Sequence, residues 1–505
     1  LRALYPAAAV GRACVAHTRA RRDFGLDWVE TFLPHYLTAA PSQLHRDLAA
    51  DLAALRDSRG QRRAYSAPRG SAKTTLLSKA YPLYCVLEGT EPLTLLLAET
   101  GDQAKAYLDA VKRELEANEV VRRAYPAAAG KGPVWQGTRI RTRNGCEVIA
   151  RGSGGRILGV TAGSRRPTLV VVDDGNERGD AFSPTKRQRK LEWFRKDVLP
   201  VGEPGTNVVV AGTAIHREAI VCDLRRGGWA GGGYRALEAW PDRLDLWAEW
   251  ERLRANLADP DREHTARAFY TEHAAEMDAG ARVLWPERLG LYALMEYRAT
   301  AGDRAFASEY QDDPGSPLGA EWAGELFERP GFWFEQWPDN LICRVQALDP
   351  SKGDGLQADY QAHVQIGLAH DGDLYVDADL RQMEDVSAMV RRALRTAAEW
   401  GASLLVFEDN NTLGFMEPEI ERQMEAHPVY AGVPWKCRTN TDHKYDRIMT
   451  AGKYLSQGRV RVRNTPGGRL LVEQWREFSG GAHDDGPDAA GTALIELEER
   501  YGMRR

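Results

Sequence analysis

Residues 67–75 read Ala67-Pro68-Arg69-Gly70-Ser71-Ala72-Lys73-Thr74-Thr75, and a later apolar run ends Val170-Val171-Val172-Asp173-Asp174. The first stretch keeps Gly70, Lys73 and Thr74 of the phosphate-loop pattern G-x-x-x-x-G-K-[ST], with Ala67 and Ala72 where the pattern has glycine. What the chemistry needs is retained: N–H groups at a helix start, a point charge from Lys73, and a Thr74 hydroxyl for Mg²⁺. Arg69, Gly70, Ser71, Ala72, Lys73, Thr74 and Thr75 are therefore expected to cradle ATP. Thr74 and, through water, Asp173 are expected to hold Mg²⁺, and Asp174 to orient the attacking water. Residues 63–66 are predicted as the strand before the loop and residues 75–88 as the helix after it, kinked by Pro82.

A second set of residues is acidic. Asp349 follows Val345-Gln346-Ala347-Leu348, Glu408 follows Leu404-Leu405-Val406-Phe407, and Asp484-Asp485-Gly486-Pro487-Asp488 opens a terminal helical pattern. Phosphodiester cleavage by two metals needs several carboxylates close together, and oxygen ligands suit Mg²⁺, with Mn²⁺ as a substitute. Crowded carboxylates cannot all ionise without a cation, so a cluster of this kind is a poor structural choice. Asp349 and Glu408 are the first candidates. Asp484 and Asp488 share a helix face, and Asp485 and Asp488 nearly do. Spacing does not choose among the three; Asp484 and Asp485 are favoured, and Asp488 reads equally well as a helix-capping aspartate.

Composition bounds these readings. At 505 residues the chain exceeds one ordinary core, and 43% hydrophobic with 28% charged residues is the balance of a soluble globular protein. No long apolar run or signal-like start is present, so no membrane partner and a cytoplasmic location are expected. Six cysteines lie far apart without a C-x-x-C pair, which predicts free thiols. A net charge of −5 conceals basic stretches: seven arginines in residues 139–166, six basic residues in 186–196 and nine in 436–469. Three such stretches, each near a candidate catalytic strand, point to a polyanionic partner.

Hydrophobic periodicity divides the chain. Residues 1–40 are an N-terminal segment, and 41–235 alternate strands (93–98, 169–172, 208–211) with helical patterns such as 103–118, as in an α/β domain. Residues 236–335, helical and tryptophan-rich, read as a linking subdomain, with Trp240, Trp247 and Trp250 at helical core spacing. Residues 336–505 offer three strands, a helix at 386–400 and a fourth strand at 404–407, with acids on the first and fourth strands; this is the ribonuclease H order.

Taken in order, the loop at 67–74, the Val-Val-Asp-Asp strand, Val208-Val-Val-Ala-Gly-Thr213-Ala-Ile-His216, Leu284-Trp-Pro-Glu-Arg288 and His483-Asp-Asp-x-x-Asp488 resemble the large terminase subunit of tailed bacteriophages over roughly residues 40–500. The resemblance implies an α/β fold: an N-terminal P-loop ATPase domain of the ASCE type and a C-terminal RNase H-like nuclease domain. It implies a motor that drives double-stranded DNA through a portal protein into a procapsid and cuts concatemeric DNA. A small terminase subunit as partner, a homo-oligomeric ring on the portal and a monomer in solution follow from it, in the cytoplasm of an infected bacterium. By matching positions, Arg69 is the loop arginine, Gly212-Thr213 the coupling segment and Asp359 an auxiliary acid. Arg156 resembles an arginine reaching a neighbouring subunit's ATP, with Arg151 as a second candidate for that reach and Arg69 as a catalytic arginine acting within one subunit. Gln43, upstream of the loop, resembles the family's N-terminal glutamine that reads adenine, and reads equally well as an exposed helix residue. The family often has glutamate after the metal-binding aspartate, so Glu177 stands beside Asp174 as the catalytic carboxylate. Two rival readings are a DNA-repair helicase-nuclease, which needs a second motor core, and a non-catalytic assembly protein with a decayed ATPase, suggested by the two missing glycines.

Overall fold

A computed structural model of the chain describes residues 23–155, 157–176, 183–315, 322, 324–350, 360–382, 385–410, 416–478 and 483–501. Arg156, Glu177 and Asp359, all candidates from the sequence, lie outside the described residues. The chain divides into two compact units, Leu1–Trp240 with Ala281–Leu294 and Ala307–Gly315, and Pro241–Gly280 with Met295–Phe306 and Ser316–Arg505. The stretch 236–335 is thus shared between them.

The first unit is built on a sheet of β1 (Arg62–Ser66), β2 (Leu93–Ala98), β3 (Val134–Trp135), β4 (Arg139–Arg141), β5 (Glu147–Gly152), β6 (Leu169–Asp173), β7 (Asn207–Gly212) and β8 (Ala230–Gly233). Their order is β3-β4-β5-β2-β6-β7-β1-β8. From β5 to β8 all neighbours are parallel, and β3 and β4 extend the edge antiparallel. Both faces are covered, which is why the central strands read as continuous apolar runs. Alternation sends Leu96, Val171 and Val209 into one core with Leu83 and Leu108, and Leu95, Val170, Val172 and Val210 into the other with Phe194 and Ile220. Strand β7 lies between β1 and β6, so the strand before the phosphate loop and the strand ending in Asp173 are not neighbours. This inserted strand is the arrangement expected of the ASCE type.

Local structure differs from the sequence reading in two places. Pro82 does not kink a continuous helix: a π-wound stretch, Thr75–Ala80, passes into an α-helix, Tyr81–Glu88, with Pro82 in its first turn. There its missing N–H falls where the winding already changes. Within the stretch read as an N-terminal segment, Phe24, Trp28, Val29, Phe32 and Leu33 are buried in the first core. A short antiparallel pair, β9 (Leu237–Ala239) and β10 (Arg282–Val283), also belongs to this unit.

The second unit carries β11 (Trp333–Phe334), β12 (Leu341–Asp349), β13 (Gln361–Ala369), β14 (Leu374–Arg381), β15 (Leu404–Glu408), β16 (Trp435–Arg438) and β17 (Val460–Arg463). The order is β11-β17-β14-β13-β12-β15-β16. An antiparallel meander β12–β13–β14 is followed by helix Val386–Trp400 and then β15, parallel to β12. That is the expected ribonuclease H order. Helices Lys444–Ser456, Pro466–Glu477 and Asp485–Tyr501 cover one face, and Val386–Trp400 and Met416–Ala426 the other. Trp247 and Trp250 are buried edge-to-face against each other, as their spacing implied, whereas Trp240 is exposed. Cys85, Cys146, Cys222, Cys343 and Cys437 are unpaired. Among the described residues no helix is long and apolar enough to cross a membrane.

Candidate functional sites

In the first unit the phosphate loop leaves β1 and is held from three sides. Ala67 N–H donates to Gly212 O of β7 (3.0 Å), Arg69 N–H donates to Glu309 O (3.0 Å), and His45 Nε2–H donates to Ser71 O (2.8 Å). Gly70 (φ +74°) and Ala72 (φ +56°) are left-handed. For a residue with a Cβ this conformation costs about 1–2 kcal/mol, so Ala72 needs its surroundings to hold it there. Residues 69–75 all line a cleft of about 900 Å³, with Asp174, Thr213, Trp285 and Arg288 on its other walls.

Charge in this cleft is arranged around two buried groups. Lys73 is 5% exposed, its Nζ donating to Thr213 Oγ1 (3.3 Å) and lying 3.5 Å from Asp174 Oδ2. Alternation along β6 puts Asp173 on the same face as Val171, beneath the helix that follows the loop, where Ser78 Oγ donates to Asp173 Oδ2 (2.7 Å). Asp173 Oδ1 is buried without a hydrogen-bond partner among the described residues. Burial, followed by the neighbouring Asp174 charge, raises the Asp173 carboxyl above the ordinary range against the pull of Lys73. A buried, unpartnered carboxylate oxygen beside a hydroxyl-bearing loop fits a hard cation. Asp174 adopts φ +49° with its N–H bonded to Ala211 O (2.9 Å), which places it on the cleft wall.

Gln43 does not join this cleft. It is the first residue of helix Gln43–Ala54 and is exposed, its side-chain amide donating to Asp47 Oδ1 (2.6 Å). The inward position two residues on belongs to His45, which the sequence reading did not single out. Its signal was present: a Ser-x-x-His capping pattern directly upstream of the loop. Arg151, at the end of β5, does not line the cleft either; its guanidinium bonds its neighbour's carbonyl, Ala150 O (2.9 Å).

The second site follows from strand register. Leu348 pairs with Phe407 across the parallel β12/β15 ladder, so the next residues, Asp349 and Glu408, end adjacent strands at one level. Val345, Ala347 and Val406 face the core beneath helix Asp485–Tyr501, and alternation turns Asp349 and Glu408 to that same side. There the helix presents Asp488, and carboxylate oxygens of Asp349, Glu408 and Asp488 all lie within 4.8 Å of one another. Burial first, then the Glu408 and Asp488 charges, hold Asp349 well above the usual carboxylate range. Glu408 and Asp488 are raised as well, each chiefly by burial. Glu408 Oε2 is buried without a hydrogen-bond partner among the described residues.

The structure therefore groups Asp488 with the two strand acids, where the sequence reading favoured Asp484 and Asp485. Asp484 pairs with Lys444 (2.6 Å), and buried Asp485 accepts from Tyr360 N–H (2.9 Å). Two cations that the sequence reading counted only as part of a basic stretch belong here. Arg447 forks onto both oxygens of Asp488 (2.8 and 2.7 Å) and reaches within 3.6 Å of Glu408. Lys444, one helical turn earlier, also stands 3.8 Å from Asp488. An all-oxygen set with an unpartnered member fits Mg²⁺ or Mn²⁺.

Much of the basic sequence bias is taken up by ion pairs within the chain. Arg139 and Arg141 both pair with Glu147, Lys436 and Arg438 with Glu496, Arg461 with Asp373, and Arg463 with Asp377. On the helix Pro184–Trp193 and the π-wound stretch Phe194–Val198 after it, Lys186, Arg189, Lys190 and Lys196 line a surface hollow around Trp193.

No family model matches the chain, and no curated protein matches it in sequence. In three dimensions, 95% of the chain is similar to 98% of the large terminase from a thermophilic bacteriophage, at 9% identity and a TM-score of 0.41. A 32% portion is similar to 86% of the large terminase nuclease from thermophilic phage G20c, at 16% identity and a TM-score of 0.24. A 32% portion is likewise similar to 86% of the human cytomegalovirus terminase nuclease domain, at 11% identity and a TM-score of 0.24. Large terminases are also what the ordered sequence motifs resemble.

Proposed function

We propose that the chain is a DNA-packaging motor: an ATPase that drives double-stranded DNA into a procapsid through a portal, joined to an endonuclease that cuts concatemeric DNA. The observation that carries this reading is that one chain holds both a phosphate-loop cleft with buried Lys73 and Asp173 and, in a separate unit, three converging carboxylates, two on strands of a ribonuclease H-like sheet and one on the helix packed over it. The motif order resembling large terminases adds the packaging context. Portal protein, small terminase subunit, a ring on the portal and the cytoplasm of an infected bacterium belong to the same proposal.

In the cleft, loop N–H groups and Lys73 would bind the ATP phosphates, Thr74 and Asp173 would hold Mg²⁺, and Asp174, its carboxylate 3.5 Å from Lys73, would orient water. In the second unit Asp349, Glu408 and Asp488 would hold Mg²⁺ or Mn²⁺, which supplies charge neutralisation at the phosphodiester and a more acidic water. Lys444 and Arg447 meet the negative charge of the cluster from the helix Lys444–Ser456.

Neither rival reading gains support. A helicase-nuclease needs a second motor core, and the sheet of the second unit among the described residues is the mixed ribonuclease H-like one. A decayed ATPase would have no reason to keep buried Lys73 bonded to Thr213 and its charge acting on Asp173. The deciding experiment measures ATP hydrolysis and Mn²⁺-dependent plasmid nicking on purified wild type, Lys73→Ala and Asp349→Ala. Each variant is expected to lose one activity and keep the other; loss of both in a folded Asp349→Ala protein would overturn the two-site reading.

A further inference from the structure

The phosphate loop lacks two pattern glycines and holds Ala72 at φ +56°, so something outside the loop must keep its peptides aimed. His45 is placed to do this. It is 4% exposed, at the third position of helix Gln43–Ala54, and packs edge-on to Trp285 with ring centroids 4.5 Å apart. Its Nδ1 accepts from Ser42 N–H (2.9 Å), which leaves the proton on Nε2; that Nε2–H donates to Ser71 O (2.8 Å). Burial, the largest influence on its pKa, lowers it and favours this neutral form. A trans peptide points its C=O and N–H in opposite directions. Drawing the Ser71 carbonyl toward His45 therefore turns the Ala72 N–H the other way, and that N–H has no acceptor among the described residues.

We infer that His45 is a positioning residue for nucleotide: it aims the Ala72 N–H at a phosphate oxygen and thereby takes over the role of the missing loop glycine. The inference rests on the ATP reading of the cleft. A glycine would reach φ +56° without strain, whereas for alanine that conformation costs about 1–2 kcal/mol, which the hydrogen bond from His45 to the preceding carbonyl helps to offset. The same side chain completes a capping box with Ser42, so it ties the helix start and the loop through its two ring nitrogens.

Substitutions separate this role from capping alone. Glutamine at position 45 keeps an acceptor for Ser42 N–H and a donor for Ser71 O, glutamate keeps only the acceptor, and alanine keeps neither. Equilibrium binding of MgADP and ATPase kinetics are measured on full-length wild type, His45→Gln, His45→Glu and His45→Ala, with thermal unfolding recorded for each. Roughly tenfold weaker MgADP binding and a raised KM are expected for His45→Ala and His45→Glu, with kcat changed less and with recovery in His45→Gln. Wild-type affinity in a folded His45→Ala, or weakened binding that His45→Glu restores as well as His45→Gln does, would overturn the inference. A wild-type protein that binds no MgADP would instead overturn the ATP reading on which it stands.

Discussion

Asp349 and Glu408 end neighbouring parallel strands at the same level and on the same face, so two acids far apart in sequence share one pocket with Asp488. The arrangement opposes folding until a cation answers it, because burial and mutual repulsion both favour the protonated forms. Arg447 and Lys444 partly supply that cation in the protein alone.

This predicts a pH signature. Asp349, Glu408 and Asp488 have folded pKa values raised above their unfolded ones. The native state therefore binds their protons more tightly, and the stability this contributes is present at low pH and lost as pH rises through the folded values. A divalent cation favours the ionised forms, so Mn²⁺ is expected to raise Tm more as pH rises from about 4 to 7. A Tm increment that stays constant over that range would remove these carboxylates as ligands.

Replacing Arg447 by methionine leaves Asp488 buried without its bidentate partner. Removing one member of a buried pair costs about 3–5 kcal/mol. Denaturant unfolding of Arg447→Met without metal is expected to show a loss of that order, and Mn²⁺ is expected to recover more stability in the variant than in wild type. Equal Mn²⁺ stabilisation of the two would separate Arg447 from the metal site.

Asp174→Asn tests the proposed catalytic role of Asp174 without disturbing its backbone. Both residues tolerate the left-handed region that φ +49° requires, so only the charge and its 3.5 Å approach to Lys73 change. The expected result is intact MgATP binding with kcat reduced about a hundredfold or more, the loss typical of a missing general base. Turnover near wild type would transfer the role to another carboxylate, with Glu177 the first to test.

Ala72→Gly examines loop strain. Glycine relieves the left-handed penalty but frees the unfolded chain, two effects of about 1 kcal/mol that oppose each other. Tm is expected to change little and ATP hydrolysis to persist. A large loss of stability would mean that the Ala72 methyl packs in a way its strained backbone does not suggest.

Local chemistry was readable from the sequence because it depends on neighbours in the chain. The loop Arg69–Thr75, the apolar run into Asp173, the meander with its helix and fourth strand, and the strand-end positions of Asp349 and Glu408 all follow from short-range pattern. Three arrangements appear only in the tertiary structure. The grouping of Asp488, in place of Asp484 or Asp485, with Asp349 and Glu408 depends on how helix Asp485–Tyr501 is rotated against the sheet, and a rotation is fixed by packing on Leu471, Ile448 and their neighbours, not by spacing along the helix. The retirement of most of the basic stretch at 436–469 into ion pairs depends on acids distant in sequence, such as Glu496 and Asp373. His45 meets Ser71 only because a helix start packs beside the loop; the Ser-x-x-His pattern marks a cap, but no propensity or period connects positions 45 and 71.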